Sequence, residues 1–324
     1  MAADGANVTL NDEFWKSIPD VHLFRHIAMA TIFEIYIQHA DSVYAEQAAD
    51  EAFSECDRLE QDLSHFIENS DISRISTLVP GDVMVIGLGT FECLQHCQQL
   101  YEQTNHAFDV TVGALMECWR NEDKTPRTPT EEELAAALTH TGMNLLQLDE
   151  EHHTVQVLAS PLRVDLGGYG KGYAVDRMAA LLQEWEIDKA LIHAGYSSVL
   201  ALDAPQDMSG WPVSLSHPDD RDRLLGRIQL HNRALSGSGL EKGQHIIDPR
   251  TGLPVTGKRA AWTSVADAAT ADALSTALMV MEPAEIEAFC NEYPEVSALI
   301  IFEGENQQEE IRRFGKWPDA EFSK

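Results

Sequence analysis

Short runs with the alternating or buried pattern of β-strands recur along the second half of the chain, interrupted by only two helical segments. The two helices are predicted from about Tyr173 to Trp185 and from about Ala269 to Met281. A hairpin is predicted over LLQLDEEHHTVQVLA, and further strands over LRVDL, ALIHA, SVLAL, PVSLS, GRIQL, WTSVAD and LIIF. Strands and helices that alternate this irregularly predict a mixed α/β or α+β fold, with mixed sheets and flanking helices.

The first half of the chain is predicted to contain more helix. Apolar residues at helical spacing from Val43 to Phe66 predict a long amphipathic helix, and a second helix is predicted from about Phe91 to Gln103. The run TIFEIYI alternates like a half-buried strand. Thr130 follows a proline-punctuated loop and is placed to cap a short helix over EEELAAAL.

The negative net charge of the chain excludes some classes of binding partner. The 324 residues are 44% hydrophobic, as in soluble globular proteins, but 53 acidic residues oppose 23 Lys and Arg, giving a net charge of −30. Such a surface repels nucleic acids and anionic membranes, so we expect neither as a partner. No run of about 18 apolar residues occurs, and we expect no membrane span. Binding of an anionic ligand would therefore need a local source of positive charge, such as a metal ion or oriented backbone N–H groups.

The N-terminal run MAADGANVTLNDEF lacks the basic and apolar stretches of a secretory signal. We therefore expect a cytoplasmic protein, or a periplasmic one if a signal has been removed. Five scattered cysteines, an odd number, fit reduced thiols. Because no clean linker divides the chain, we predict an N-terminal extension at residues 1–25 and a single elaborated domain at residues 26–324.

The first segment that suggests chemistry is DLGGYGKGYAVD, which begins at Asp165 and ends at Asp176. Its glycines let the backbone approach a ligand closely, and the helix that follows offers an N-terminus that attracts anions. Lys171 adds a positive charge, but no Ser or Thr follows it, so the segment is not a Walker A loop. Taken alone, the segment fits a tight strand-to-helix turn equally well.

The second segment is HIIDPRTGLPV, in which a short strand is predicted to end in a proline-containing turn. His245 begins it and is predicted to lie on that strand beside Ser236-Gly-Ser238. A histidine placed between a Gly/Ser turn and a buried aspartate is a candidate for proton transfer, with a purely structural histidine as the alternative.

The third segment is ADALSTAL, on the second predicted helix. Asp272 and Thr276 are four residues apart and share one helix face, with Ser275 beside them. Carboxylate and hydroxyl oxygens are ligands that suit Mg²⁺. The alternative is a packing helix whose polar stripe faces solvent.

Taken together and in this order, the three segments resemble the ApbE family, the FAD:protein FMN transferases. That family shows a DLGG-x-x-KGYAVD turn, an HIIDPRTG-x-P turn and an ADA-x-x-TAL helix. Three earlier segments resemble the family's motifs in their place: Met29-Ala-Thr31, Leu63-Ser-His-Phe66 and Ala107-Phe-Asp-Val-Thr-Val-Gly113. The resemblance extends from about Met29 to Met281.

The resemblance implies an enzyme that moves FMN from FAD to a Thr hydroxyl of a partner flavoprotein and releases AMP. It implies His245 as the catalytic histidine. It implies a Mg²⁺ ion held by the carbonyl of Gly168 and by Asp272, Ser275 and Thr276. The residues that it assigns to FAD are Met29, Phe66, Ala107, Phe108, Asp109, Asp165, Lys171 and Ile247.

Two alternatives use the same residues: an FAD pyrophosphatase, in which water replaces the Thr, and an FAD-binding protein without activity. The chain also departs from the family. Many members have Asn-x-Gly-Gly-Asp where this chain has His193-Ala-Gly-Tyr-Ser197, so Tyr196 adds bulk where glycine lets a ligand approach. Ala30 replaces the glycine of Met-Gly-Thr, and Ser238 stands where Asp is common. These changes concern the adenine end of the pocket and the partner's entrance, and they leave the predicted metal helix unaltered.

Overall fold

The computed structural model of the protein describes residues 8–9, 15–16, 18–121, 123, 125–240, 245–304, 308–317 and 319–323. Its strands are β1 Val8–Thr9, β2 Val21–Ala28, β3 Thr31–Gln38, β4 Val83–Val85, β5 Leu146–Asp149, β6 Thr154–Val157, β7 Ala190–Ala194, β8 Ser198–Ala201, β9 Trp211–His217, β10 Asp220–Leu230, β11 Arg233–Gly239, β12 Lys258–Val265, β13 Ser297–Glu303, β14 Glu309–Phe314 and β15 Ala320–Phe322.

The helices are α1 Ser42–Leu63, α2 Asp71–Ile75, α3 Leu88–Gln103, α4 Gly113–Cys118, α5 Glu131–Leu138, α6 Gly170–Glu184, α7 Ala268–Val280 and α8 Pro283–Glu292. One turn of 3₁₀ helix, Met143–Leu145, precedes β5. Within the described part of the chain, no helix combines the length and apolar character needed to cross a membrane.

The predicted α+β fold is confirmed, and the periodic segments form the expected elements. The four predicted long helices correspond to α1, α3, α6 and α7. Thr130 caps α5 in a full capping box: its hydroxyl accepts from the Glu133 N–H, and the Glu133 carboxylate accepts from the Thr130 N–H at 2.8 Å. All five cysteines are free thiols. The strand pairs of the described residues are antiparallel, so the expected mixed sheets are not seen there.

Two predicted strands are wrong. The run LRVDL is extended but contributes only one bridge, from Arg163 to Val112, because its backbone groups bond to loop residues. The Asp165 N–H, for example, donates to the carbonyl of Val110 at 2.7 Å. The run that begins at His245 likewise forms a single bridge, Ile247 to Pro254. An extended run becomes a strand only when a second extended segment is available to pair with it.

The chain divides into two compact units. The first unit comprises residues 1–58, 169–243 and 257–324, and the second comprises residues 59–168 and 244–256. The predicted N-terminal extension and single domain stay a prediction.

Two antiparallel sheets form the core of the first unit. One has the order β1-β9-β10-β15 and the other the order β14-β13-β12-β11-β8-β7-β3-β2. Apolar side chains from both sheets pack into one cluster, in which the Trp15 ring lies 5.7 Å from Tyr36 and 5.0 Å from Trp211, centroid to centroid. Alternation along each strand sends every second side chain of the larger sheet to its opposite face.

Helix α7 packs on β11 and β12, at that opposite face of the larger sheet. It is buried almost all round, which explains its alanine-rich, weakly amphipathic sequence. At its end the buried Lys258 of β12 donates from Nζ to the carbonyls of Met279, at 3.0 Å, and Met281. A buried ammonium at a helix C-terminus both satisfies the last carbonyls and complements the helix dipole.

Helices α6 and α7 meet at their first turns. A Cβ added to Gly172 of α6 would lie 2.2 Å from the carbonyl oxygen of Ala268, the first residue of α7. Only glycine therefore permits this approach of the two backbones.

In the second unit, β4, β6 and β5 form a three-stranded antiparallel sheet. Leu115 of α4, Ala137 of α5 and Ile247 of the 244–256 segment share a small apolar cluster. Gly252 has φ +74°, and an added Cβ would lie 2.7 Å from Leu134. The Trp119 Nε1–H donates to the Gly252 carbonyl at 2.8 Å, so the segment is fixed on the two helices.

We predict that Gly172→Ala lowers the free energy of unfolding by about 1–3 kcal/mol, because the added methyl group forces α6 and α7 apart. Urea unfolding followed by circular dichroism measures this. Gln183→Ala, on the exposed side of the same helix, is the control and should unfold as the wild type does. Wild-type stability in Gly172→Ala would show that the close helix contact is not needed.

Candidate functional site

Three hydroxyl groups meet at the middle of α7 in the first unit, and Asp272 lies about one helical turn before two of them. The carboxylate of Asp272, 2% exposed, accepts from the Gly172 N–H at 3.1 Å. The Ser275 hydroxyl donates to the Asp272 carbonyl at 2.8 Å, and Thr276 follows on the same side of the helix. Ser238 of β11 places its Oγ 2.7 Å from Ser275 Oγ and 3.1 Å from Thr276 Oγ1. We call Ser238, Asp272, Ser275 and Thr276 the oxygen cluster.

Carboxylates tie the first turns of α6 and α7 together in both directions. Asp272 of α7 accepts from the N–H of Gly172 in α6. Asp176 of α6 accepts from the N–H groups of Ala268 and Ala269 in α7, at 2.7 and 2.8 Å. These bonds satisfy N–H donors that lack partners inside their own helices.

Burial raises the pKa of Asp176 to about 7. The hydrogen bonds from Ala268 and Ala269 lower it, whereas the negative charges of Asp267 and Asp272 raise it further. Three carboxylates thus lie near one another at the start of α7, and a cation there would relieve their repulsion.

The oxygen cluster fits Mg²⁺ by its chemistry. It offers one buried carboxylate and three hydroxyl oxygens, and Mg²⁺ prefers such hard oxygen donors and commonly uses only one or two carboxylates. Asp272 and Ser275 are buried against protein groups. The alternative prediction, a polar stripe that faces solvent, is therefore wrong for these two residues. Gly168, the fourth predicted ligand, belongs to the second unit.

His217, Asp219 and Glu309 also bring metal-binding atoms within 4.8 Å of one another, and form the only such group among the described residues. The metal-binding atoms of these three residues already have hydrogen-bond or ion-pair partners in the protein. His217 faces Glu309 through Nε2 at 2.9 Å and accepts from the Asp219 N–H at Nδ1. Arg223 pairs with Glu309 at 2.9 Å, and Arg259 pairs with Asp219. We interpret the group as an ion-pair network rather than a metal site.

Two of the residues assigned to FAD lie in the first unit. Met29 has φ +49° in the turn between β2 and β3, and Lys171 lies in the first turn of α6. Both are partly exposed. Lys171 places a cation beside backbone N–H groups at a helix N-terminus, which suits an anionic ligand.

Among the residues assigned to FAD in the second unit, Asp109 is held by a compact network of hydrogen bonds. The Asp109 Oδ1 accepts from the N–H and the hydroxyl of Thr111 at 2.7 and 2.6 Å. The Thr111 hydroxyl in turn accepts from the Gly142 N–H. Burial raises the pKa of Asp109 to about 6, and the bonds from Thr111 oppose this rise. Ala107 and Phe108, which precede Asp109 in the sequence, are also buried.

Asp165 and Gly168 lie in the extended run and turn that end the 59–168 segment of the second unit. The Asp165 N–H donates to Val110, next to Asp109, so the structure brings the segments of two predicted FAD residues together. The Asp165 carboxylate accepts from the Gly167 N–H at 2.7 Å and fixes the turn. Phe66 lies elsewhere in this unit, 80% exposed, with its ring centroid 3.9 Å from that of His65.

His245 begins the 244–256 segment and is partly exposed. It does not lie on a strand, which corrects the prediction: the segment forms only the single bridge between Ile247 and Pro254, next to a tight turn. The Val255 N–H donates to Ile246, and the Gly252 N–H donates to Asp248 at 2.7 Å. Ile247 is buried in the apolar cluster, so it anchors the segment that presents His245.

Sequence reasoning missed two residues of the α6–α7 region. Ser238 of β11 was noted as a departure from the family and as a neighbour of His245, yet it contacts two of the predicted metal ligands. Asp176, the last residue of the DLGGYGKGYAVD segment, was given no role, yet it accepts hydrogen bonds from the first two N–H groups of α7. The contacts of Ser238 with α7 and of Asp176 with α7 join segments that are distant in the chain, so local patterns do not show them. The position of Asp176, one helical turn after Gly172, was nevertheless a signal that could have indicated its role.

Comparisons with a family model and with individual relatives match the same family. The model of the ApbE family matches residues 29–300. A relative from Klebsiella pneumoniae named FAD:protein FMN transferase is 27% identical over 313 residues, covering 91% of this chain and 86% of that protein. A Vibrio cholerae relative of the same name is 29% identical, covering 82% and 83%.

Solved structures match over similar lengths. The crystal structure of the ApbE protein from Thermotoga maritima has a TM-score of 0.80 at 27% identity, covering 91% of this chain and 97% of that one. The flavin transferase ApbE from Vibrio cholerae has a TM-score of 0.79 at 25% identity, with the same coverage.

We predict that Asp109→Asn removes a pH dependence of stability. The folded pKa of Asp109 is raised above the unfolded value, so its contribution to stability is fully present below about pH 4 and is lost as the pH rises through 6. The amide stays neutral and still accepts from Thr111. The variant should therefore gain on the order of 3 kcal/mol relative to wild type between pH 4 and pH 8.

Urea unfolding of both proteins at several pH values measures this difference, in which the other titrating groups cancel. A difference that stays constant with pH would contradict a raised pKa at Asp109.

Proposed function

Because the chain belongs to the ApbE family, we propose that it transfers the FMN part of FAD to a Thr hydroxyl of an acceptor flavoprotein, with Mg²⁺ as cofactor, and releases AMP. The sequence-based predictions of this family and of a transferase are confirmed by the comparisons. The Mg²⁺ requirement, the Thr acceptor and the site residues are the parts that we propose.

The oxygen cluster is the observation that supports this function. Asp272, Ser275 and Thr276, together with Ser238, offer hard oxygen donors along one side of a buried helix. When bound there, Mg²⁺ supplies positive charge that offsets the charge of the FAD pyrophosphate. This is the local source of positive charge that an anionic substrate needs in a chain of net charge −30.

The protein's own residues would bind the substrate and move one proton. We assign His245 to accept the proton of the Thr hydroxyl, which raises the nucleophilicity of its oxygen. That oxygen forms a bond to the phosphorus of the FMN half, the bond from this phosphorus to the bridging oxygen breaks, and AMP leaves with the bridging oxygen.

We assign the remaining residues to binding and orientation. The exposed ring of Phe66 and the thioether of Met29 suit contact with aromatic rings. Lys171 suits the pyrophosphate. The carboxylates of Asp109 and Asp165 accept from the backbone N–H groups of Thr111 and Gly167, which fixes their geometry for polar contacts. Ala107, Phe108 and Ile247 support these residues from the interior.

The proposed function is tested by incubating the purified protein with FAD and Mg²⁺, with and without a flavoprotein domain that carries a Thr acceptor. Covalent flavin and AMP should appear together, only with metal and acceptor, and EDTA should abolish both. AMP without covalent flavin would favour the pyrophosphatase. Bound FAD with neither product would favour the FAD-binding protein.

In the same assay we predict that Asp272→Asn lowers transfer by a factor of about 100 or more. The amide can still accept from the Gly172 N–H but has lost the charge that holds the cation, an interaction worth several kcal/mol. Glu309→Gln is the matched control because it removes a carboxylate from the ion-pair network, and it should keep the Mg²⁺ dependence. If Glu309→Gln lost the Mg²⁺-dependent transfer and Asp272→Asn kept it, the metal would lie at His217, Asp219 and Glu309.

We predict that His245→Ala lowers the transfer rate by about 10²–10⁴ while FAD affinity changes by a factor of two or less, because a general base acts on the acceptor proton and not on FAD. Rates at saturating FAD and the Kd for FAD measure the two effects separately. His152→Ala, an exposed histidine of the same unit, should leave both unchanged. Equal losses of rate and affinity would make His245 a binding residue instead.

A further inference from the structure

Two tight turns of the first unit lie against each other at the ends of neighbouring strands of the larger sheet. One joins β2 to β3 through Met29 and Ala30, and the other follows β7 through Gly195 and Tyr196. The Gly195 N–H donates to the Ile32 carbonyl at 3.0 Å. A Cβ on Gly195 would lie 2.2 Å from Thr31 Oγ1, so this glycine is what lets the turns touch.

Both turns hold side chains in an unfavourable backbone conformation. Met29 and Ala30 have φ +49° and +58°, and Tyr196 has φ +64° in the position where such turns prefer glycine. Seven of the other eight described non-glycine residues with positive φ are Asp, Asn or His, which adopt it more readily. Strain held by bulky side chains at one place is typical of functional sites.

The Tyr196 ring is held in a defined orientation although it is 41% exposed. The buried His193 meets it edge-on, with the ring centroids 5.5 Å apart. The Arg221 guanidinium carbon lies 5.4 Å from the centroid, over the ring face. The Val8 N–H donates to the Tyr196 carbonyl at 2.9 Å and fixes the backbone. The result is an exposed aromatic ring whose orientation is largely set before any ligand binds.

We propose that Tyr196 contacts an aromatic ring of FAD and determines the affinity for this substrate. The inference rests on the proposed function, because Met29, in the adjoining turn, is a residue assigned to FAD. Tyrosine offers a flat, rigid face for an aromatic ring system, and FAD carries two, the flavin and the adenine. In this interpretation the ring of Tyr196 contacts the substrate and does not block the site, and this contact offsets the energetic cost of the strained backbone.

The test compares FAD binding, without acceptor, by variants that separate the ring from the backbone. Tyr196→Gly removes the ring and relieves the strain, and Tyr196→Phe keeps the ring. Asp207→Gly is the matched control, since Asp207 is exposed, belongs to the same unit and has the same φ of +64°. Equilibrium dialysis gives the Kd for FAD, and thermal melting reports on the fold.

We expect Tyr196→Gly to melt at the wild-type temperature or higher and to bind FAD about tenfold more weakly. Tyr196→Phe and Asp207→Gly should bind within twofold of wild type. Wild-type affinity in Tyr196→Gly would overturn the inference and leave the proposed function standing. A wild-type protein that fails to bind FAD would overturn both.

Competition with FMN and with ADP then separates the two rings. If the flavin ring contacts Tyr196, Tyr196→Gly should lose affinity for FMN and keep its affinity for ADP. If the adenine contacts it, the pattern should be reversed. Wild-type affinity for both fragments would overturn a direct contact with either ring.

Discussion

The contact between the first turns of α6 and α7 positions most of what we assign to metal binding. Gly172 allows the two backbones to approach, and the carboxylates of Asp176 and Asp272 then bond across the contact in opposite directions. Lys258 holds the far end of α7. The helix is therefore fixed at both ends by buried charges, each of which complements the helix dipole. Asp272, Ser275 and Thr276 owe their common position to this fixed helix.

This arrangement also concentrates negative charge. Asp176, Asp267 and Asp272 lie close enough for the charges of the latter two to raise the pKa of Asp176. A folded chain that keeps a buried carboxylate near other carboxylates accepts a cost in stability. A cation bound there would lower that cost, and it would also attract an anionic substrate to a strongly acidic protein. Binding and stability are thus linked by the same charges.

Much of the fold was readable from local patterns, and most of the failures concern contacts between distant segments. The helical periodicity of α1, α3, α6 and α7 and the Thr130 cap depend on neighbours in sequence, and those predictions are confirmed. The run after His245 folds back on residues 252–255 and forms only one bridge. The run at LRVDL has a strand-like sequence but bonds to a loop that is distant in the chain. Ser238 was missed as a contact of Ser275 and Thr276 for the same reason. The strain at Tyr196 depends on a turn geometry that composition alone does not determine.

The most direct test of this account is the position of the bound metal. Crystals grown with Mn²⁺, which stands in for Mg²⁺ and scatters anomalously, would show where the ion is held. The account predicts an anomalous peak at the oxygen cluster, within bonding distance of the Asp272 carboxylate, and loss of that peak in Asp272→Asn. A peak at His217, Asp219 and Glu309 instead, or at neither place with the metal present in excess, would contradict it.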